Sequence, residues 1–214
     1  MKTDNSDNHR FLGEEYGWSN EYPSSAHRWI LSKLLNLLPK NQSGLRVLDI
    51  GCGNGFIASC IAEKGFEVIG IDTSKEGIDI AKKAYPNIKF EVASAYDELV
   101  DIAEKVDVAI VADVIEHLYS PKTLLKNVNS VLKPGGMLII STPYHGYIKN
   151  IILSILNKWD FHHTVNWEGG HIKFFSEKTL NELLQESGFC NVSFHNAGRI
   201  KWVWKSMICR CFKS

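Results

Sequence analysis

The chain has 214 residues, enough for one full hydrophobic core but too few for two comfortable domains, so we expect a single domain over residues 1–214. Its 24 basic and 24 acidic residues cancel, which argues against binding to nucleic acid through many phosphate contacts. The sequence contains no membrane-spanning apolar run, no secretory signal and no C-x-x-C pair among its five cysteines. These features predict a cytoplasmic protein without a disulfide framework or a zinc–cysteine cluster.

The N-terminal part of the chain, residues 1–38, carries the first predicted helix. Its first dozen residues are polar, and Ser24 or Ser25 can cap the helix that follows. Apolar residues recur there at helical spacing: Trp29, Ile30, Leu34, Leu35, Leu37 and Leu38. We expect this helix to precede the sheet as an N-terminal cap.

Residues 47–55, V-L-D-I-G-C-G-N-G, predict a buried strand that opens into a glycine loop. Gly51, Gly53 and Gly55 allow a sharp turn and let the bare backbone approach a ligand closely. A helical pattern follows, and a second predicted strand, residues 66–71, leads into Asp72. That acid lies about 20 residues after the loop, where a carboxylate can bind a ribose diol. The unit therefore predicts an adenosine-like ligand.

Two details narrow the kind of adenosine ligand. Phe56 stands where a dinucleotide fingerprint needs its third glycine, and Asp49 occupies a position that is normally apolar there. This disfavours a pyrophosphate ligand. A P-loop is excluded because no Lys-Ser or Lys-Thr pair follows the loop to bind a phosphate and Mg²⁺.

Strands and helices alternate through the rest of the chain. The strand over residues 106–112 is apolar almost throughout, as expected of a central parallel strand buried on both faces. The other predicted elements are helix 75–85, strand 88–92, a helix from Ser120 and Pro121, strand 137–141, helix 177–187, strand 191–195 and a last strand in the tail. We expect an α/β fold with a doubly wound, mostly parallel seven-stranded sheet and ligands at the carboxyl ends of its strands.

Three motifs together resemble one enzyme family. The spacing of Asp49, the G-x-G-x-G loop and Asp72 is similar to motif I of class I S-adenosylmethionine-dependent methyltransferases. V-A-D-V-I-E-H-L-Y-S-P at residues 111–121 and L-K-P-G-G at 132–136 resemble the ubiquinone-biosynthesis O-methyltransferase-like subfamily. The resemblance covers residues 28–141, with a looser match at 170–175. It implies a Rossmann-like methyltransferase fold and S-adenosyl-L-methionine as cofactor.

The resemblance also assigns residues to the cofactor. It places the glycine loop along the methionyl part, Asp72 on the ribose hydroxyls, and the end of the third strand at the adenine ring. The implied cofactor-binding residues are Arg28, Asp49, Gly51, Gly53, Gly55, Asp72, Ala95, Tyr96, Ala112 and Asp113. Arg28, assigned near the methionine carboxylate, is equally well explained as a surface arginine on a packed helix.

In the same subfamily, an acid, a glutamate three residues on and the adjacent histidine are taken to bind Mg²⁺. These residues correspond to Asp113, Glu116 and His117. Oxygen ligands suit that hard cation. The alternative is a site without metal, in which these residues cap a helix and line the pocket.

Methyl transfer to a hydroxyl requires removal of a proton, for which histidine is the natural base near neutral pH. We rank His117 first, His145 second and His171 third, with His162 and His163 next. The favoured activity is O-methylation of a small-molecule acceptor, covered by an insertion at residues 144–170. N- or carboxyl-methylation, and a cofactor-binding module without turnover, stay open because function is decided by the site rather than the fold.

Two segments raise the question of a lipid surface. The tail from Arg199 to Phe212 alternates basic and aromatic residues without an acid, which suits peripheral contact with anionic lipid or, equally, a last strand at the sheet edge. Residues 147–159 have one apolar helical face that fits either a lid or a lipid-facing helix. The sequence does not decide the oligomeric state.

Overall fold

The computed structural model describes residues 18–23, 27–40, 44–163 and 169–214. The predicted helix caps Ser24 and Ser25 lie outside the described residues. None of the described helices is long and apolar enough to cross a membrane.

Seven strands form one sheet in the order β3-β2-β1-β4-β5-β7-β6. They are β1 (Arg46–Ile50), β2 (Glu67–Asp72), β3 (Lys89–Val92), β4 (Val106–Ala112), β5 (Leu132–Pro143), β6 (Phe189–Ala197) and β7 (Ser206–Lys213). The first five strands pair in parallel, whereas β7 pairs antiparallel with both β5 and β6. The predicted doubly wound, mostly parallel seven-stranded sheet is confirmed.

The strand order reverses between β1 and β4, which lie side by side in the centre of the sheet. Ligands of doubly wound folds bind at the carboxyl ends of the strands beside such a reversal.

The described helices are α1 (His27–Leu37), α2 (Phe56–Ala62), α3 (Lys75–Ala84), α4 (Leu99–Ala103), α5 (Pro121–Val131), α6 (Tyr147–Ile155), α7 (Trp159–His163) and α8 (Glu177–Glu186). A short 3-10 helix, Ile115–His117, follows β4.

The core has two apolar layers, one on each face of the sheet. In β4, Val108 and Ile110 contribute to one layer, while Ala109 and Val111 contribute to the other. Successive side chains of a strand point to opposite faces, so a strand covered on both sides must be apolar throughout. The buried sequence of β4 therefore confirms its predicted central position.

Two predictions about the C-terminal half were wrong. The tail does not form the edge strand, because β7 inserts between β5 and β6 and leaves β6 at the edge. Met207 and Ile208 are fully buried in β7, so within this basic-aromatic stretch only the loop over residues 199–205 is largely exposed. Residues 147–159 do not form one helix either, since α6 ends before Asn157, which adopts a left-handed backbone with φ 50°.

Candidate active site

The glycine loop follows β1 and packs on both neighbouring strand ends. The backbone N–H groups of Gly51 and Cys52 both donate to the Ile71 carbonyl in β2, at 2.8 and 2.9 Å. Gly51 has φ 76°, and a Cβ at this position would overlap the side chain of Val114 beyond β4. Glycine is therefore required here both for the turn and for close contact.

Asp72 connects this loop to the end of β2. Its Oδ2 accepts a 2.8 Å hydrogen bond from the Gly53 N–H, and its Oδ1 accepts a 2.7 Å bond from the Ser74 N–H. Burial raises the pKa of Asp72, and these backbone donors oppose the increase. A carboxylate has about four lone-pair sites, so both oxygens keep capacity for ribose hydroxyls.

Asp49 lies near the end of β1 and is only 1% exposed, yet neither carboxylate oxygen has a hydrogen-bond partner among the described residues. Burial, and then the charge of Asp72, raise its pKa from 3.8 to about 7. An unpaired buried carboxyl is costly unless a ligand compensates it. This orphaned acid fits a cofactor that carries a positive charge.

Residues 18–23 cross the glycine loop, a contact that the sequence did not predict. Asn54, fully buried between two glycines, donates from Nδ2 to the carbonyls of Asn20 and Tyr22 at 2.8 and 2.9 Å. A Cβ on Gly53 would overlap the Trp18 ring. The signal available in the sequence was the polar Asn54 within an otherwise apolar loop, but its partners lie more than 30 residues away.

The predicted adenine side lies where β3 ends. Asn127 of α5 donates from Nδ2 to the carbonyls of Ala95 and Asp97, at 3.2 and 2.9 Å, and so holds this loop. The Tyr96 hydroxyl accepts a bond from the Ser120 N–H, while its side chain remains partly exposed.

Arg28 is exposed on α1, where Pro23, Arg28, Trp29 and Arg199 line a cleft of about 580 Å³. The structure therefore places Arg28 beside the loop between β6 and β7.

Ala112 ends β4, and Asp113 follows it with a left-handed backbone, φ 54°. The Asp113 N–H donates to Ser141, and its Oδ1 accepts a 2.7 Å bond from the Ser141 hydroxyl. Burial raises the pKa of Asp113, and the Ser141 bond opposes the increase. The Asp113 side chain is thus held towards β5.

Glu116 is 1% exposed, and both its carboxylate oxygens lack a hydrogen-bond partner among the described residues. Burial, and then the charge of Asp113, raise its pKa well above the usual value, while a backbone N–H and the nearby Thr142 hydroxyl oppose the increase. Its backbone carbonyl accepts bonds from the N–H groups of Ile172 and Lys173, both at 2.9 Å. The segment that follows Gly170 is therefore fastened to the end of β4.

This fastening brings together two of the predicted histidines. The rings of His117 and His171 lie edge to face with centroids 4.9 Å apart, and His117 Nδ1 lies 3.2 Å from the Gly170 carbonyl oxygen. Burial lowers the pKa of His117, partly offset by the carbonyls of Gly170 and Gly169. Burial and the neighbouring histidines and Lys149 lower the pKa of His171 to about 4. Both rings are neutral near pH 7.

His145 belongs to a second group of rings. Its centroid lies 5.5 Å from that of His163 and 5.1 Å from that of Phe174. Burial, then the charge of Lys149 and neighbouring histidines, lower the pKa of His145 to about 3. His145 is therefore neutral at physiological pH but a weak base.

Asp113, Glu116 and His117 do not converge as the Mg²⁺ hypothesis requires. The donor atoms that lie within 4.8 Å of one another belong to Glu116, His117 and His171, and Asp113 is outside this group. The described set thus has two imidazoles and one carboxylate. Mg²⁺ prefers oxygen ligands in an octahedral arrangement, so this set does not fit Mg²⁺.

Comparison with known proteins identifies the class to which this fold and site belong. A family model described as a methyltransferase domain matches residues 22–193, well over half of the chain. The chain belongs to this family and is an S-adenosylmethionine-dependent methyltransferase.

Two of the relatives are methyltransferases of known name. The ubiquinone biosynthesis O-methyltransferase of Roseobacter denitrificans is 32% identical over 177 residues, which cover 78% of this chain and 69% of that protein. The human mitochondrial ubiquinone biosynthesis O-methyltransferase is 32% identical over 180 residues, covering 75% of this chain and 47% of that protein. The match thus spans about half the length of the human relative.

A solved structure confirms the fold. Magnesium protoporphyrin IX methyltransferase from Synechocystis, with bound S-adenosylhomocysteine, superposes with a TM-score of 0.72 and 17% identity, covering 99% of this chain and all of that one. At that identity the likeness concerns the fold alone.

We predict that Asp49→Asn removes a pH-dependent loss of stability. The pKa of Asp49 is raised to about 7 in the fold, so the folded state holds this proton more tightly than the unfolded chain. The resulting contribution to the free energy of unfolding is complete below about pH 4 and is lost as the pH rises through about 7. At roughly 1.4 kcal/mol per pKa unit, the stability gap between variant and wild type should grow by about 2 to 3 kcal/mol between pH 5 and 8. Urea unfolding of both proteins at pH 5 and pH 8 measures this difference in the free energy of unfolding.

The exposed carboxylate Asp101 on α4 provides the matched control, Asp101→Asn, for which the gap should stay constant. A gap for Asp49→Asn that is the same at pH 5 and pH 8 would contradict the raised pKa.

Proposed function

We propose that this methyltransferase transfers the methyl group of S-adenosylmethionine to a hydroxyl of a small-molecule acceptor. The observation that carries the proposal is the position of His117, which follows β4 beside the glycine loop that we assign to the cofactor. Val114, three residues earlier, directly contacts Gly51 of that loop. This contact supports our assignment of His117 as the proton-accepting group on the acceptor side of the cofactor.

The chain's contribution to cofactor binding follows from the loop geometry. When bound, S-adenosylmethionine supplies a methyl group already activated on a sulfonium. Asp72 would hold the ribose hydroxyls, and Asp49 would offset the positive charge. Trp18 packs on Gly53 at the same loop. Residues 18–23 would cover the loop, since their carbonyls are bonded to Asn54.

His117 is the group that would promote loss of the acceptor proton. Donation of its Nδ1–H to the Gly170 carbonyl favours the tautomer in which Nε2 bears the lone pair. Nε2 lies 4.0 Å from Glu116 Oε1. Because the protein mainly has to position an acceptor and remove its proton, a fixed, neutral imidazole at this site is sufficient chemistry.

We assign the acceptor to the side on which residues 144–163 and 169–170 lie. In the described part of this insertion, His145 and His163 are buried around Phe174, and Trp159 lies 4.3 Å from the His163 ring, centroid to centroid. This aromatic wall favours an acceptor with an apolar or aromatic body. The relatives named as ubiquinone biosynthesis O-methyltransferases support a hydroxyl as the methylated group.

We predict that His117→Ala lowers the methylation rate by about 10²-fold or more, because the group that promotes proton loss is gone. A radiolabelled methyl screen over phenols, catechols, amines and carboxylic acids identifies the acceptor, and the rate is then measured with the best one. Affinity for S-adenosylhomocysteine, measured by calorimetry, should change little.

His195→Ala is the matched control, since His195 lies on edge strand β6 and its loss should leave the rate unchanged. Label transferred only to amines or acids would contradict O-methylation. Cofactor binding without any methylated product would instead indicate a binding module.

We further propose that one face of the protein rests on an anionic lipid surface. Tyr147, at the start of α6, is 80% exposed, and Ile155, at its end, is 76% exposed. Ile200 and Trp202, in the loop between β6 and β7, are also exposed. Apolar side chains exposed in this density mark a surface for an apolar partner.

The two segments meet at Tyr144, whose N–H donates to the Lys205 carbonyl and whose ring packs against Trp204. Exposed cations border the face: Lys158, Arg199, Lys201 and Lys205. Neither residues 147–159 nor residues 199–205 contain an acid. Apolar anchors with cations around them suit anionic headgroups.

We predict that Ile155→Glu reduces sedimentation with vesicles containing phosphatidylglycerol several-fold, because it removes an apolar contact and adds a repelled charge. Val92→Glu is the control, since Val92 is also exposed but lies on β3 at the opposite edge of the sheet. Equal loss of binding in both variants, or equal binding of wild type to uncharged phosphatidylcholine vesicles, would refute this surface.

A further inference from the structure

We infer that Glu116, His117 and His171 form a binding site for a divalent transition-metal ion of the Zn²⁺ class, in place of the Mg²⁺ site suggested by the sequence. The role of the ion rests on the proposed function, but its binding does not. The donor atoms of these three residues lie within 4.8 Å of one another.

The first argument is the state of Glu116. Its side chain is buried, and both oxygens lack a hydrogen-bond partner among the described residues. A buried carboxyl without a partner costs several kcal/mol in an apolar setting. A bound cation would compensate this cost, and the two imidazoles beside Glu116 are neutral metal ligands at physiological pH.

Hydrogen bonds fix the orientation of the proposed ligands. His117 directs Nδ1 at the Gly170 carbonyl, 3.2 Å away. Histidine ligands in metal sites commonly donate their other ring N–H to a carbonyl or carboxylate, which fixes the ring orientation. The N–H groups of Ile172 and Lys173 bond the Glu116 carbonyl, so His171 is held against the other two ligands by backbone contacts.

The separations between the donor atoms are somewhat longer than those in an occupied metal site. Metal–ligand bonds of about 2.0–2.2 Å place tetrahedral donors roughly 3.4 Å apart. The observed separations of up to 4.8 Å therefore require a contraction of about 1 to 1.5 Å. Of the three pairs, Glu116 Oε1 and His117 Nε2 are already 4.0 Å apart.

The donor set decides the class of ion. Imidazole suits Zn²⁺ and other first-row transition ions, whereas Mg²⁺ demands oxygen ligands. Asp113, the acid that would make the set richer in oxygen, is held by the Ser141 hydroxyl at 2.7 Å. Three protein ligands leave a coordination position where an acceptor hydroxyl could bind with a lowered pKa. With the ion bound through Nε2, His117 would act as a ligand rather than as the proton acceptor, and the proton of the bound hydroxyl would pass to solvent.

The test uses the full chain after removal of bound metal with chelator, titrated with Co²⁺ as a spectroscopic substitute for Zn²⁺. We expect visible absorption bands that saturate at one ion per chain, disappear on addition of Zn²⁺ and persist in millimolar Mg²⁺. His171→Ala should weaken Co²⁺ binding at least 10-fold. Glu116→Gln, which keeps the side-chain shape, should do the same and stands in if His171→Ala fails to fold.

Two matched variants separate this site from its neighbours. His163→Ala removes a nearby imidazole outside the donor group and should bind Co²⁺ like wild type. Asp113→Asn keeps an acceptor for Ser141 but removes a charge near Glu116, so it should weaken Co²⁺ binding less than His171→Ala does. Absence of stoichiometric Co²⁺ binding, or equal losses in Asp113→Asn and His171→Ala, would overturn the proposal.

Turnover is measured separately, so that the two proposals can fail independently. Full methylation activity in excess chelator would overturn the role of the ion in turnover, while its binding is judged by the Co²⁺ titration and the methyltransferase function stays intact. One bound Co²⁺ per chain that requires His171, in a protein without methylated product, would support the metal site and contradict the proposed O-methylation.

Discussion

The paired hydrogen bonds that Asp72 accepts from Gly53 and Ser74 are the constraint on which the rest of the site depends. They fix the glycine loop after β1 against the end of β2, and they hold Ser74, the residue that caps α3. The loop in turn packs on Val114 after β4. The proposed cofactor side and the proposed proton-accepting side therefore both contact one short loop.

Buried acids concentrate at this end of the sheet, and their environments differ. Asp72 and Asp113 are satisfied by N–H and hydroxyl donors, whereas Asp49 and Glu116 have no hydrogen-bond partner among the described residues. Folding alone gives no reason to keep an unpaired acid in the interior. We interpret both acids as partners of a positive charge. We assign Asp49 to the charge of the cofactor and Glu116 to a metal ion.

Local sequence patterns predicted the parts of this site that are built locally. The glycine loop, Asp72 and the apolar β4 could be read from spacing, because each depends on backbone freedom or strand periodicity. Features that depend on contacts between distant segments could not be predicted from the sequence. The pairing of β7 with β5, the contact of Trp18 with Gly53, and the pairing of His171 with His117 all join residues at least 35 positions apart, where no local pattern carries information.

The central claim, that Asp72 and the loop it fixes hold the cofactor, is tested most directly by calorimetric titration with S-adenosylhomocysteine. We predict one binding site per chain and a loss of affinity of roughly 10- to 150-fold in Asp72→Ala, as expected when a hydrogen bond to a charged group, about 1.5 to 3 kcal/mol, is removed. Asp101→Ala, at an exposed site, should bind like wild type. Unchanged affinity in folded Asp72→Ala protein would contradict the account.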